Sequence, residues 1–470
     1  MSLPVMPTRI MVLGGGGREH ALAWKLTAEP GVNQVVVAPG STAIGAEARV
    51  RCLPGVDPLD PGAVVAAARE TSAELVVVGP EAPLAAGVAD ALADAGIAVF
   101  GPTRAAARIE TSKAFCHEVA AAAGVRMARS RAFAAGELEA ARLFATELAR
   151  SGTGLVVKAD GLAAGKGVAV CDDLEAAEPF LAALLGAPRT ADKATSADET
   201  ARTNELSGGP RAILEERLFG REVSVIAISD GREALILPVA RDHKRLADGD
   251  DGPNTGGMGA YSPVPDLPDV DTAELVESIH RPILAELARR GSPFRGFLYA
   301  GLILTEDGPA LLECNARLGD PEAQVILPRL AGPVGPILLG AARGDLGPVR
   351  RTMGPATAGL AAFPGATVGI VLAAAGYPDM PRRGDPITGL DAAADLGGLV
   401  FHAGTLCRPD GSYVTNGGRV LAVVGRGPDL AAARDVAERA AEAIAWDGLQ
   451  RRRDIAADAP LQRAPAVVAR

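Results

Sequence analysis

Two lysines around a run of glycines carry the plainest chemistry in this chain. Lys158-Ala-Asp-Gly161-Leu-Ala-Ala-Gly165-Lys166-Gly167-Val168 ends one apolar run with a lysine and leads into another through a glycine loop that carries a second. It is not a Walker A loop, which needs G-x-x-x-x-G-K-[ST] opening a helix. Gly167 stands where Ser or Thr is required, and the segment that follows is rich in β-formers. A glycine loop between antiparallel strands can instead fold over a triphosphate, with N–H groups and lysine charges offsetting the phosphates. A plain structural hairpin is the alternative. A second constellation, Glu313-Cys314-Asn315-Ala316-Arg317, closes another strand. Alternation places Glu313 and Asn315 on one face. A hard carboxylate beside a neutral amide oxygen suits Mg²⁺, which takes few protein ligands and completes its shell with phosphates. Arg317 can reach the same place and offset charge on a transferring phosphoryl group. The alternative there is a polar turn with a surface arginine.

Four further segments offer chemistry. Gly14-Gly15-Gly16-Gly17 joins an apolar run to a helical one, where glycines let backbone approach an anion and a helix N-terminus favours negative charge. A nicotinamide site would need a third glycine inside the helix and an acid closing the second strand. That strand ends Val37-Ala38-Pro39-Gly40. A phosphate-bearing substrate on Gly15, Gly16 and Gly17 is favoured, with a tight turn as the alternative. Glu81 follows a buried run, at the carboxyl end of a strand where open α/β sheets hold ligands. It can accept from a hydroxyl or amine, or merely start a helix. Residues 214–222 read as an inter-lobe hinge whose backbone pairs with an adenine edge and whose Glu222 holds ribose hydroxyls, although an acidic strand edge explains them equally well. Asp242-His243-Lys244-Arg245 and the loop carrying Asn254, Thr255, Gly256 and Gly257 form one polar stretch suited to a small carboxylate. His243 is read as structural, and 414–419 as a hairpin turn.

These residues need a framework. Short apolar runs at 9–13, 34–38, 75–78 and 97–100 alternate with alanine-rich helical stretches at 18–26, 62–70 and 84–95, which implies a parallel sheet covered on both faces. A helix over 111–123 with Ser112 as its cap follows. From about 125 the pattern becomes antiparallel, with strands at 154–159, 168–171, 212–216, 222–229 and 234–239. Residues 187–209 and 246–266 read as polar loops. A helix at 272–290 and a hairpin at 296–315 come next. The last segment has short strands at 358–361, 369–373, 399–403 and 419–424 and a helix at 430–445.

Composition narrows the class. The chain has 470 residues, a prior of about three domains, with 48% apolar residues and a net charge of −10. No strongly basic domain stands out, so no nucleic-acid partner is expected. No apolar run is long enough to span a membrane, and residues 1–8 show neither a basic n-region nor an h-region, so they are expected to be a frayed leader rather than a signal peptide. The five cysteines are scattered and lack a C-x-x-C. That pattern suits a reduced, cytoplasmic chain without disulfides or zinc.

Taken in order, these segments resemble the ATP-grasp ligases, and most closely the phosphoribosylamine–glycine ligase family of purine biosynthesis. The resemblance spans about 9–455. It rests on GGGGREHALAWKL (14–26), VVVGPEAPL (76–84), SKAF (112–115), KADGLAAGKGV (158–168), DHKR (242–245), GPNTGGMGAYSP (252–263), GFLYAGL (296–302), GDPE (319–322), FHAGT (401–405) and VTNGGRVL (414–421). It implies an α/β and α+β multidomain chain: a leader at 1–8, a Rossmann-like domain at 9–110, a two-lobed ATP-grasp core at 111–340 with its smaller lobe at about 125–212, a small α+β domain at 341–455, and a tail at 456–470.

Carried over, Lys113 and Lys158 meet the ATP phosphates, with Gly161, Gly165, Lys166 and Gly167 lying over them. Glu215 faces the adenine amino group, the backbone near Leu218 pairs with the ring, and Glu222 holds the ribose. Glu313 and Asn315 bind Mg²⁺ or Mn²⁺. Arg317 steadies the transferring phosphoryl group, while Asp320 and Glu81 orient the substrate amine and its ribose. The implied substrates are ATP, glycine and 5-phosphoribosylamine, and a monomer or weak dimer is expected. The chain departs from the family at Cys314, Ala316 and Leu318, where bulkier residues are usual, and in its long polar 187–209 segment. No acid on 296–304 offers a second metal ligand.

Overall fold

The computed structural model describes residues 5–162, 167–186, 211–267, 269–353 and 359–457. The 187–209 loop, Gly165, Lys166 and nearly all of the expected tail therefore lie outside the described residues. Of the expected leader, residues 5–8 are placed. Pro7 is buried, and Thr8 donates from its backbone N–H to Glu74 at 2.9 Å, so this part of the segment is seated rather than frayed.

The first domain is a parallel sheet of β1 (Arg9–Gly14), β2 (Gln34–Pro39), β3 (Val50–Cys52), β4 (Leu75–Val78) and β5 (Val99–Phe100), in the order β3-β2-β1-β4-β5. β1, β2 and β4 are almost continuously apolar and buried because helices cover both faces. These helices are α1 (Gly17–Thr27), α2 (Pro61–Glu70), α3 (Glu81–Ala86), α4 (Val88–Asp94) and α5 (Arg104–Thr111). The single helix expected over 84–95 is two, broken at Gly87, whose φ of 86° ends one and starts the other. Strand order reverses between β1 and β4, so the turns after them, bearing Arg18 and Glu81, open onto the same crevice.

α6 (Lys113–Ala122) begins where expected, with Ser112 Oγ accepting from Phe115 N–H at 3.2 Å. The smaller lobe is an antiparallel sheet of β6 (Ser130–Phe133), β7 (Leu155–Ala159), β8 (Val168–Cys171) and β9 (Ala212–Glu216), in the order β6-β9-β7-β8. α7 (Leu138–Ala149) and α8 (Leu174–Leu185) pack on it around Phe133, Val157, Leu181 and Leu214, a core separate from the rest.

The larger lobe is built on β10 (Arg221–Asp230) and β11 (Ala234–Ile236), which join a long hairpin. Residues 246–266 are not structureless. Before the hairpin come β12 (Arg241–Asp242), β13 (Arg245–Ala247), β14 (Asp251–Asn254) and β15 (Gly259–Ser262). The helix expected at 272–290 runs as Asp269–Leu275, a π turn at Val276–His280 and Arg281–Arg289. Pro282 explains the widening: it has no N–H to donate back, and its ring crowds the preceding turn. The hairpin is β16 (Arg295–Thr305) and β17 (Gly308–Asn315), giving a sheet ordered β11-β10-β16-β17.

The final sheet departs from the expected domain order. β18 (Ala366–Ala373), β20 (Leu399–His402) and β23 (Arg419–Gly427) combine with β12 and β15 in the order β12-β15-β18-β23-β20. The C-terminal layer thus grows on strands contributed by 241–262. β19 (Pro386–Ile387), β21 (Thr405–Cys407) and β22 (Tyr413–Thr415) make a separate small sheet. The hairpin turn expected at 414–419 is accordingly a crossover: β22 and β23 lie in different sheets.

Candidate active site

The two lobes, the β1/β4 crevice and the start of β23 enclose one cleft of about 970 Å³. Five groups of side chains meet on its wall.

From the small lobe come Lys158 and Glu215, which meet Lys113 at the start of α6. Lys113 Nζ donates to Ala159 O at 2.9 Å and Gly161 O at 3.0 Å, so α6 is tied to the strand end that begins the glycine loop. Asp160 secures the same junction, accepting from Ala114 N–H at 3.2 Å and Ser112 Oγ at 3.1 Å. Gly161 has φ 111°, which a side chain rarely adopts, and lines the cleft together with Gly167. Lys158 is buried, 2.8 Å from Glu215 Oε2, and donates to Leu312 O at 3.1 Å. Glu215 Oε1 is taken by His117 Nε2 at 2.8 Å. Burial alone would raise the Glu215 carboxyl, yet Lys158 and the His117 hydrogen bond hold it below its ordinary value. Each Glu215 oxygen carries one of these contacts, and Glu215 and Leu218 both line the cleft.

From the large lobe come Glu313, Asn315 and Lys244. Asn315 Nδ2 donates to Glu313 Oε1 at 3.3 Å. Burial would raise Glu313, but Lys244, Lys158 and Lys113 hold it below the usual carboxylate range, so it stays an anion. Lys244 Nζ lies 3.0 Å from Glu222 and 3.9 Å from Glu313. An ionised carboxylate and an amide on one strand face fit a hard divalent cation whose remaining ligands are phosphate and water. Among the described residues no group of three or more His, Cys, Asp or Glu is placed to hold a metal.

Next to it, Arg317 sits 3.3 Å from Glu81 and 3.2 Å from Glu110. Glu110 also accepts from Ala316 N–H at 2.7 Å. Sequence reading missed Glu110, and its signal is faint: one acid in an amphipathic helix.

The fourth group surrounds Asp320. Gln324 Nε2 donates to Asp320 Oδ1 at 2.7 Å, and Arg419 reaches both Asp320 O at 2.6 Å and Oδ2 at 3.3 Å. Burial would raise Asp320, but Arg419 and Arg18 keep it low. Arg419 also bonds the carbonyls of Gly256 and Gly257, and Gly256 N–H donates to Tyr377 OH at 3.0 Å. The loop with Asn254 and Thr255 is thereby pinned against the C-terminal layer. Arg419, read from sequence as a turn residue, is a cleft residue.

The fifth group is acidic. Asp242 is partly buried and faces the charges of Glu322, Glu222 and Glu313; desolvation pushes its carboxyl up to about 7 against the pull of Lys244. Ser224 Oγ bonds both Glu322, at 3.0 Å, and Tyr299 OH, at 2.9 Å.

Gly15, Gly16 and Gly17 are not on the cleft wall, contrary to expectation. Gly16 N–H is spent on Glu19 Oε2 at 2.7 Å, and Arg18 is the α1 side chain that lines the cleft. Arg18 donates to Glu19 at 2.6 Å and to Leu318 O at 3.1 Å, joining the first domain to the large lobe. Gly79 is required here: a Cβ would lie 2.6 Å from the backbone oxygen of Leu13.

Two antiparallel lobes closing on a pair of lysines, with a carboxylate–amide pair and an arginine opposite, define an ATP-grasp ligase. Family models for phosphoribosylglycinamide synthetase match three consecutive stretches: the N domain at residues 8–110, the ATP-grasp (A) domain at 111–323 and the C domain at 367–458. The chain belongs to the phosphoribosylglycinamide synthetase family. It is 47% identical to phosphoribosylamine–glycine ligase of Streptomyces coelicolor over 458 residues, 96% of this chain and 99% of that one. It is 45% identical to the Leifsonia xyli protein of the same name over 96% of this chain and all of the other. A crystal structure of phosphoribosylamine–glycine ligase from Thermotoga maritima superposes with a TM-score of 0.71 at 32% identity, covering 95% of this chain and 100% of that one. The biotin carboxylase domain of Hydrogenobacter thermophilus 2-oxoglutarate carboxylase, at 17% identity, TM-score 0.65 and coverage of 97% and 93%, shares the fold.

Proposed function

We infer that this chain joins glycine to 5-phosphoribosylamine with hydrolysis of ATP, yielding glycinamide ribonucleotide, ADP and phosphate in purine biosynthesis. The observation that carries the reading is the convergence of Lys113 from α6 and Lys158 from the small lobe with Glu313, Asn315 and Arg317 from the large lobe on a single cleft. The glycine carboxylate attacks the γ-phosphorus, the bond to the β-bridging oxygen breaks, and ADP leaves. The amine of phosphoribosylamine then attacks the acyl carbon of glycyl phosphate and phosphate departs, the amine losing a proton.

No side-chain nucleophile is needed, so catalysis is positioning and charge compensation. Lys113 and Lys158 hold the phosphates, Leu218 backbone pairs with the adenine edge, and Glu222 binds ribose hydroxyls. Arg317, pinned between Glu81 and Glu110, presents its guanidinium to the transferring phosphoryl group. Asp320 stays ionised and orients the incoming amine, while Arg18 and Arg419 provide positive charge on the side away from the lysines. Glu313 and Asn315 would hold Mg²⁺ or Mn²⁺, which when bound offsets phosphate charge.

A monomer or weak dimer in the cytoplasm completes the reading; the described cysteines are all unpaired, and no described helix is long and apolar enough to cross a membrane. The test is phosphate release from ATP with glycine, with and without phosphoribosylamine generated in situ. Release that needs both, with glycinamide ribonucleotide identified by mass, is expected. Release independent of the amine would overturn it.

A further inference from the structure

Lys158 has an ammonium on a flexible stem, with three rotatable donors and no preferred direction of its own. Its acceptors set that direction. One is Leu312 O, fixed by β17; the other is Glu215 Oε2 at 2.8 Å. A glutamate terminal torsion is broad and does not hold a carboxylate by itself. What restrains Glu215 is its second oxygen, bonded to His117 Nε2 at 2.8 Å. A carboxylate only accepts, so the Nε2 position carries the ring proton. The ring is oriented in turn by Ser130 Oγ, 3.0 Å from Nδ1.

Ser130 and Glu215 are direct cross-strand partners on β6 and β9, so serine, histidine and glutamate close a triangle on one position of the sheet. His117 stands one helical turn after Lys113, and both line the cleft.

We propose that His117 is a positioning residue for the nucleotide: through Glu215 it fixes the Lys158 ammonium at the cleft and thereby sets affinity for the triphosphate of ATP. The proposal rests on the nucleotide half of the function inferred above and not on the identity of the acceptor. Ser130 belongs to the same device, because it selects the ring orientation that serves Glu215. A histidine that merely filled space between α6 and the small sheet would affect folding without discriminating among substrates.

The test uses the full-length chain, with direct calorimetric titration of MgATP beside steady-state kinetics and thermal melting. His117→Ala is expected to weaken ATP binding about ten-fold, the loss of one charge-assisted hydrogen bond. The KM for ATP rises in parallel, while kcat and the KM for glycine change by no more than about two-fold. His117→Gln keeps an N–H donor for Glu215 and recovers ATP affinity to within about three-fold of the parent. Ser130→Ala weakens ATP binding by about three-fold and serves where the alanine variant does not fold.

Unchanged ATP affinity in His117→Ala or, where that does not fold, in Ser130→Ala overturns the proposal. So does a His117→Gln variant as impaired as His117→Ala. Absence of glycinamide ribonucleotide from the parent chain would sink the assigned reaction instead, and the ATP titrations would still decide the role of His117.

Discussion

Arg317 Nη2 lies 3.2 Å from Glu110 Oε1, and this contact binds the end of the large-lobe hairpin to the last helix of the first domain. Glu110 is buried and Arg317 partly so, at the cleft. Burial pushes the Glu110 carboxyl up to about 7, with Arg317 pulling the other way and Glu81 adding to the rise. The arginine is raised far above its ordinary value despite desolvation, through Glu110 and Glu81. The pair therefore holds a permanent cation in place with an acid that ionises near neutrality.

The first prediction follows from that raised value. Below the ordinary value of 4.5 the acid is protonated in folded and unfolded chains alike, so its contribution is fully present. As pH rises through 4.5 towards about 7, the unfolded chain releases the proton before the folded one, and stability falls. Glu110→Gln lacks this loss. The stability of the parent relative to Glu110→Gln is expected to drop by about 3 kcal/mol between about pH 5 and pH 8. Urea melts of both proteins at the two pH values check it; a constant difference would show that Glu110 titrates normally.

Lys158 and Glu215 support a second prediction, which separates stability from activity. Lys158→Met leaves Glu215 buried without its cation, at a cost of about 3 kcal/mol, and lowers turnover by at least about 10²-fold. Adding Glu215→Gln removes the stranded charge and restores most of the stability, but not the turnover. Melting temperature and product formation on the single and double variants provide the readout. Recovery of turnover in the double variant would count against Lys158 as a phosphate ligand.

The lysine–glycine segment was legible because its chemistry is contiguous: Lys158, the glycines and Lys166 fall within the eleven residues 158–168, from the end of the β7 run to the start of the β8 run. The Glu313–Asn315 pair was legible for the same reason, since strand alternation alone puts both on one face. Arg419 was not. Its partner Asp320 is 99 residues away, and the glycines on either side argued for a hairpin that would have needed β22 and β23 in one sheet. Glu215 was found but its two partners were not, because Lys158 and His117 arrive from another strand and from a helix. Only the four-residue spacing of His117 from Lys113 hinted that α6 turns both towards the cleft. The glycine loop at 14–17 failed in the opposite way: its local sequence suits an anion, but the Glu19 carboxylate occupies Gly16 N–H.

Glu313 and Asn315 yield a third prediction. Glu313→Ala is expected to reduce turnover by at least about 10²-fold, as for loss of a preorganised charge-stabilising group. Asn315→Ala acts in the same direction. A chelator should abolish activity in the parent, with recovery on adding Mg²⁺ or Mn²⁺. Titration of ADP with and without the divalent ion gives an independent readout: the ion should strengthen binding to the parent and not to Glu313→Ala. Equal enhancement in both proteins would remove Glu313 from the metal site.

The fourth prediction concerns Arg419, which bonds Asp320 and the backbone of Gly256 and Gly257 from the C-terminal layer. One side chain thus holds two walls of the cleft on the side away from Lys113 and Lys158. Arg419→Ala removes those links and the strongest cation paired with Asp320, whose carboxyl should then move upward. The expected result is a rise of about ten-fold or more in the KM for phosphoribosylamine, with the KM for ATP nearly unchanged. Arg419→Lys keeps the charge but cannot serve both Asp320 and the loop carbonyls with one planar fork, so it rescues only part of the loss. Loss of Asp320 ionisation adds a pH signature: in Arg419→Ala, kcat/KM for the amine falls at a higher pH than in the parent as pH is lowered. Steady-state kinetics with each substrate varied across that range would decide the matter, and an equal rise in the ATP KM would show that Arg419 supports the whole cleft rather than its amine side.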